Sequence, residues 1–529
     1  MARAHMENDG SQTPSGMTRR EFVRRAGKVS TVVAAGVILG DVSGTAKPQV
    51  SPGSDVVMMS AGELSHAIRA RRVSCQEVMT AYLAHIEALN PKVNAIVSLQ
   101  PREALMKQAA ERDAELARGQ YRGWMHGFPH AVKDLAATRG IRTTWGSPLL
   151  DTVPDYDSIF VERLRRAGVI IIGKTNAPEF GLGSQTYNSV FGTTLNAYDQ
   201  SKCAGGSSGG AAVSLALRML PVADGSDMMG SLRNPAAFNN VIGFRTSFGR
   251  VPSGGEELFL EQLSVNGPLG RTVTDVAMLL SVMAGPDPRA PLSLEQDPSV
   301  FAEPLKRDFK GTRLAWLGDL GGHLQLEPGI ADLCRASFKA FEAAGCAVEE
   351  AQPEYSADRM WNTWVTLRHW LEAGDLLELY QDVAKRKLMK PEAQWEVEGG
   401  LKLSAVQVYN ASRARSEWYV AMQKLFAKYD YLLLPSAQVF PFGATVHWPK
   451  SINGVAMDTY HRWMEVEVPA SLLGFPTINV PVGFNPHGLP MGMQIIGRHN
   501  ADLAVLQMAY AYEQATDWVR AHLPPLLRG

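Results

Sequence analysis

Residues 203–210 read Cys-Ala-Gly-Gly-Ser-Ser-Gly-Gly, and residues 225–235 read Gly-Ser-Asp-Met-Met-Gly-Ser-Leu-Arg-Asn-Pro. Three kinds of chemistry use loops of this composition. A phosphate-binding loop needs Lys-Ser or Lys-Thr after its last glycine; here Ala211 and Ala212 follow Gly210, so that reading fails. A nucleophile elbow fits better on paper, because Gly205 to Gly209 matches G-x-S-x-G around Ser207. The elbow requires a buried strand running straight into the turn and a histidine base further along. Residues 196–202 are instead polar and loop-like, although His487, His499 and His522 are nominal bases. The third reading joins both loops to a distant lysine in Gly127-Phe128-Pro129 and Ala131-Val132-Lys133-Asp134, a short extended stretch.

Outward from these loops, the pattern alternates. Leu64, Ile68, Val73, Val78, Tyr82 and Ile86 predict a helix from Ser60 to about Ala88, stopped by Asn90-Pro91. A polar helix is expected over 101–118 and another over 156–167. Gly168 ends the second, and Val169-Ile170-Ile171-Ile172 reads as a buried strand. Helix followed by apolar strand recurs at 330–350 and at 416–434. Such alternation predicts an α/β layered fold around a mostly buried sheet. The segment 354–465 differs, setting seven tryptophans among long polar helices. At helical spacing these are core residues first, with some available to wall a cleft.

The two loops and the lysine stretch together resemble the amidase signature family. Lys133 lies in the counterpart of its lysine strand, Gly205 to Gly210 in its glycine-serine loop, and Gly225 to Arg233 in its nucleophile loop. Asp430 to Pro435 and the stretch from Gly474 to Arg498 are similar to later strands of the family. The resemblance runs from about residue 60 to 515. The serines stand at the family's spacing (231 − 207 = 24). The resemblance implies an α/β/α sandwich with a large twisted mixed β-sheet covered by helices, and hydrolysis of carbon–nitrogen amide bonds, with esters and urethanes as close acyl substrates. Ser231 is then the nucleophile, Ser207 the bridging serine after a cis Gly206–Ser207 peptide, and Lys133 the base. The backbone N–H groups of Met228, Met229, Gly230 and Ser231 would form the oxyanion hole, with Ser208, Asp227 and Arg233 supporting the loops. A serine hydroxyl needs a neighbour to take its proton. A lysine can do so when burial depresses its pKa, and an intervening hydroxyl can both donate and accept. The family usually has glycine where this chain has Met229, which is expected to narrow the acyl pocket. The Met-Met-Gly-Ser-Leu-Arg-Asn-Pro-Ala run looks most like branches acting on nylon-type oligomers and urethanes. A glutamine amidase subunit, and a non-catalytic binding protein on the same fold, are the other readings.

The composition bounds the partners. Hydrophobic residues make up 45% and charged residues 20%, which excludes disorder and fibrous folds. With 52 Lys+Arg against 53 Asp+Glu there is no basic excess for nucleic acid. A small-molecule or oligomeric amide substrate is expected, with no stable membrane insertion, and a homodimer is compatible with the reading. Cys75, Cys203, Cys334 and Cys346 are scattered without metal-ligand spacing, so neither metal nor cofactor is expected and burial is. Thr-Arg-Arg-Glu-Phe-Val at 18–23, further basic residues to Lys28 and an apolar run from Val32 to Leu39 resemble a twin-arginine export signal. Residues 1–46 are therefore expected to be a leader and signal for a periplasmic or secreted protein. A single catalytic domain is expected over 47–529, with 354–465 as its variable helical substrate-cleft segment.

Overall fold

Two apolar runs that read as buried strands, Ile170–Thr175 and Tyr431–Pro435, are buried along their whole length, yet they belong to different sheets. The computed structural model describes residues 54–528, so the leader and signal segment lie outside the described residues. The larger sheet has eight strands. Its order across the molecule is Ala347–Glu350, Arg313–Trp316, Tyr431–Pro435, Pro490–Ile496, Thr477–Phe484, Ile242–Arg245, Val265–Gly270 and Ala223–Asp227. The first three run parallel and the remaining pairings are antiparallel, giving a mixed sheet. Helices cover it, and its core side chains join one continuous hydrophobic cluster. This is the α/β class expected from the alternation.

The lysine stretch is not part of that sheet. Pro129–Lys133 pairs parallel with Ile170–Thr175, which pairs antiparallel with Ile96–Val97, forming a separate three-stranded sheet. Its edge lies beside Ala223–Asp227, the edge of the large sheet. A carboxylate ties them: Asp224 Oδ1 pairs with His130 Nε2 at 2.8 Å, and Asp224 Oδ2 accepts from the Lys133 N–H at 3.1 Å. All three residues are at most 1% exposed, so this seam is dry.

Local chemistry moves several expected boundaries. The helix expected from Ser60 to about Ala88 is two helices, Ala61–Arg69 and Cys75–Val93. Each starts at a serine whose side chain accepts from the backbone three residues on while a glutamate reaches back, Ser60 with Glu63 and Ser74 with Glu77. The second capping box restarts the helix inside a continuous apolar pattern. Asn90-Pro91 does not stop it; the helix runs to Val93 and ends at Asn94, which adopts φ 52°. Segment 354–465 holds Ala357–Gln381, Pro391–Gly400 and Ala405–Phe426. Trp361, Trp364, Trp418 and Trp463 are core residues, whereas Trp395 stays exposed on one edge and packs on His369 at 4.3 Å. The four cysteines are buried and unpaired.

Asp224→Ala leaves the His130 ring and the Lys133 amide unsatisfied in a dry seam. Denaturant titration should show a loss of about 3 kcal/mol, the cost of removing a charged acceptor from two buried donors. Asp224→Asn, which keeps one acceptor oxygen, should lose less.

Candidate active site

Lys133 closes the Pro129–Lys133 strand and is 1% exposed. Its Nζ lies 2.7 Å from Ser207 Oγ, 2.9 Å from Ser208 Oγ and 2.9 Å from Ser226 Oγ. All three hydroxyl oxygens lie where Nζ can donate to them, and once the amine is neutral its lone pair can accept from one of the hydroxyls instead. Burial pushes this amine down to about 7, against the partial opposition of Asp227 and Asp224. The lysine is therefore largely neutral in mild alkali.

Ser207 and Ser208 precede the helix Gly209–Ala216, and the Gly206–Ser207 peptide is cis. Gly205 has φ +72°, and a Cβ there would sit 2.6 Å from Asn234 Oδ1, so glycine is required. Ser231 lies in the short turn between the strand Ala223–Asp227 and the helix Arg233–Phe238. Its neighbours on both sides are fixed by Asp227. That carboxylate accepts from the Gly230 N–H (2.8 Å), the Leu232 N–H (3.1 Å), Arg233 Nε and Nη2 (3.0 Å each) and Arg245 Nη1 (2.9 Å). Burial would raise its pKa, but Arg233 and Arg245 outweigh burial and hold the carboxyl well below its ordinary range. Glu467 pairs with Arg233 Nη1 at 2.6 Å and lies where a side chain at Gly230 would go. Burial pushes that carboxyl up to about 8.

The expected residues converge, with two corrections. The Gly230 N–H already donates to Asp227 and is not free for an oxyanion. The amides of Met228, Met229 and Ser231 make no hydrogen bond to a described residue. The second correction concerns Met229, which is 3% exposed and belongs to the hydrophobic core. The left-handed position of the turn is Gly230, at φ +86°, so Met229 needs no glycine-like backbone. Met228 is the half-buried methionine, and its Sδ meets Arg368 Nη1. Ser208, expected only as support, touches the lysine amine itself. Ser231 is 8% exposed, and its hydroxyl makes no hydrogen bond to a described residue. Catalytic hydrogen bonds often tighten only when substrate is bound.

Ser226, Asp224, His130, Arg245 and Glu467 were not anticipated. A strand alternates its faces, and that alternation was a usable signal for two of them. Asp224 and Ser226 share the face toward the lysine strand, while Asp227 points to the arginines. The elbow reading fails on placement. Ser207 Oγ is bonded to Lys133, no described histidine bonds it, and His499 and His522 pack on Tyr419 and Phe484.

Residues 77–506 match the family model described as Amidase. The chain belongs to the amidase signature family. An acylamidase of Rhodococcus erythropolis is 34% identical over 466 residues, covering 87% of this chain and 96% of that protein. A glutamyl-tRNA(Gln) amidotransferase subunit of Thermosynechococcus vestitus is 34% identical over 478 residues, covering 86% of this chain and 98% of that protein. A crystal structure of a bacterial aryl acylamidase of this family superposes with a TM-score of 0.82 at 28% identity, covering 88% of this chain and 98% of that one. The chain is thus an amidase-signature hydrolase acting on amide bonds.

The buried amine sets a pH dependence of stability. Its pKa is about 7 in the fold against an ordinary 10.5, so between these values the unfolded chain binds more protons and this group's contribution to stability rises with pH. Lys133→Met removes that contribution. The stability gained by Lys133→Met over wild type should be largest at pH 7 and should shrink toward pH 10, read by denaturation midpoints across that range.

Proposed function

We propose that the protein hydrolyses N-acyl amides through an acyl-enzyme on Ser231. The observation that carries this reading is the Lys133 amine, dry and within 2.7 Å of Ser207, beside the turn that presents Ser231. Ser231 Oγ attacks the carbonyl carbon while its proton passes to Ser207, whose own proton moves to Lys133 Nζ. The amides of Met228, Met229 and Ser231 hold the oxyanion; removing one such donor elsewhere costs about a hundredfold or more. The proton returns through Ser207 to the leaving nitrogen as the carbon–nitrogen bond breaks. Water then attacks the ester, deprotonated along the same path, and releases the acid and free Ser231.

The substrate is proposed to be an apolar or oligomeric amide, with esters and urethanes as further acyl donors. The likeness to acylamidases supports this. A glutamine amidase reading draws on the equal likeness to amidotransferase subunits. Free glutamine, however, brings an ammonium and a carboxylate, and each needs a fixed opposite charge. The charged groups around the nucleophile loop are already paired among themselves, Arg233 and Arg245 with Asp227 and Arg368 with Glu396 at 2.8 Å. We also propose export by the twin-arginine segment, on the sequence of residues 18–39.

A chromogenic acyl anilide separates these readings. Wild type should release the aniline, with the rate rising through about pH 7 as Lys133 loses its proton and staying high into mild alkali. Ser231→Ala and Lys133→Ala should each fall by about a thousandfold or more. Equal rates in all three proteins would defeat the proposal. Ammonia release from glutamine without anilide cleavage would favour the amidotransferase reading.

A further inference from the structure

A buried guanidinium touches the nucleophile loop with one nitrogen poorly matched. Arg368, on the helix Ala357–Gln381, is 4% exposed. Its Nε donates to Glu396 Oε1 at 2.8 Å and its Nη2 donates to the Tyr460 hydroxyl at 2.8 Å, with Glu372 Oε1 at 3.4 Å. The Tyr460 hydroxyl in turn donates to Glu396 Oε1 at 2.6 Å. The remaining nitrogen, Nη1, faces only the Met228 sulfur. A thioether is a weak acceptor and a poor partner for a charged donor.

A closed chain of contacts links Arg368 to the residues around Ser207 and Ser231. A Cβ at Gly181 would lie 3.7 Å from Ser207 Oγ, and one at Gly183 would lie 3.8 Å from the Tyr460 ring. Tyr460 holds Arg368, Arg368 meets Met228, and Met228 stands three residues before Ser231. The Ser208 N–H donates to the Ser231 carbonyl at 3.2 Å and closes the ring. The guanidinium thus touches the loop that carries Ser231.

We infer that Arg368 is a specificity-determining residue whose Nη1 binds a second, neutral carbonyl oxygen of the substrate, a few bonds from the scissile amide, in place of the Met228 sulfur. Neutrality follows from the charges present. Glu396 already offsets this arginine's charge, so a substrate carboxylate would enter as a buried negative charge with no cation left to balance it. A neutral acceptor completes the fork without adding charge. The inference rests on the amide-hydrolase reading and specifies its substrate: a molecule with repeated carbonyls, such as an oligoamide or a diurethane, rather than a plain fatty acyl amide.

The test compares acyl p-nitroanilides of one chain length, either all-methylene or with one internal amide carbonyl at successive positions. For at least one position, wild type should prefer the carbonyl-bearing anilide by about tenfold or more in kcat/KM, as expected of a charged hydrogen bond. In Arg368→Met/Glu396→Gln, which removes the arginine without stranding its carboxylate, that ratio should fall to within about threefold of one. Should that variant not fold, Arg368→Lys carries the test, since an ammonium cannot keep the Glu396 and Tyr460 bonds and also reach the substrate; the ratio should again fall. A wild-type ratio near one at every position, or a ratio that survives both variants, overturns the inference while leaving the amidase reading intact. Failure of every anilide to be cleaved overturns both.

Discussion

Lys133 Nζ is surrounded at 2.7–2.9 Å by three serine hydroxyls and is almost wholly removed from water. Each surrounding feature serves that arrangement. The glycines of 205–210 let the backbone pass close enough for two serines to reach one amine. The strand Ala223–Asp227 turns Asp224 and Ser226 toward the lysine and Asp227 away from it. Without this dryness the amine would hold its proton at neutral pH and could not accept one from a neighbouring hydroxyl.

The charges around the site are separated by the sheet. On one face, Asp224 takes the lysine strand's backbone amide and His130. On the other, Asp227 gathers Arg233 and Arg245 beneath the turn that carries Ser231, with Glu467 beside Gly230. Buried ion clusters of this kind add little net stability. Their effect here is geometric. Asp227 commits five hydrogen bonds to fixing the turn, including the Gly230 amide, and leaves neighbouring amides unpaired where an oxyanion would form.

Much of this was legible in the chain. The buried runs at 170–172 and 431–434 were sufficient for the fold class, and the serine spacing and the lysine stretch singled out Lys133 and Ser207, which the structure places in contact. Hydrophobic periodicity did not reveal that the lysine strand lies in its own small sheet, because a buried strand reads alike in either sheet. It also missed the break at Ser74, since the apolar stripe continues through a capping box. Glu467 and Arg368 were out of reach for a different reason: each is more than 100 residues from the loop it contacts, and no local pattern brings them there.

The seam between the two sheets has a further consequence. Lys133 rides on one sheet and Ser231 follows a strand of the other, and the two edges are joined by side chains, Asp224 on His130 and the Lys133 amide and Ser226 on the Lys133 amine, rather than by a backbone ladder. A shift of about 1 Å at this seam would leave each sheet's own ladder intact and still part the amine from its serines, a misplacement able to cost about a hundredfold in rate. Turnover in this enzyme therefore gauges how well its two halves are docked, and it should fade during warming before spectroscopic signs of unfolding emerge.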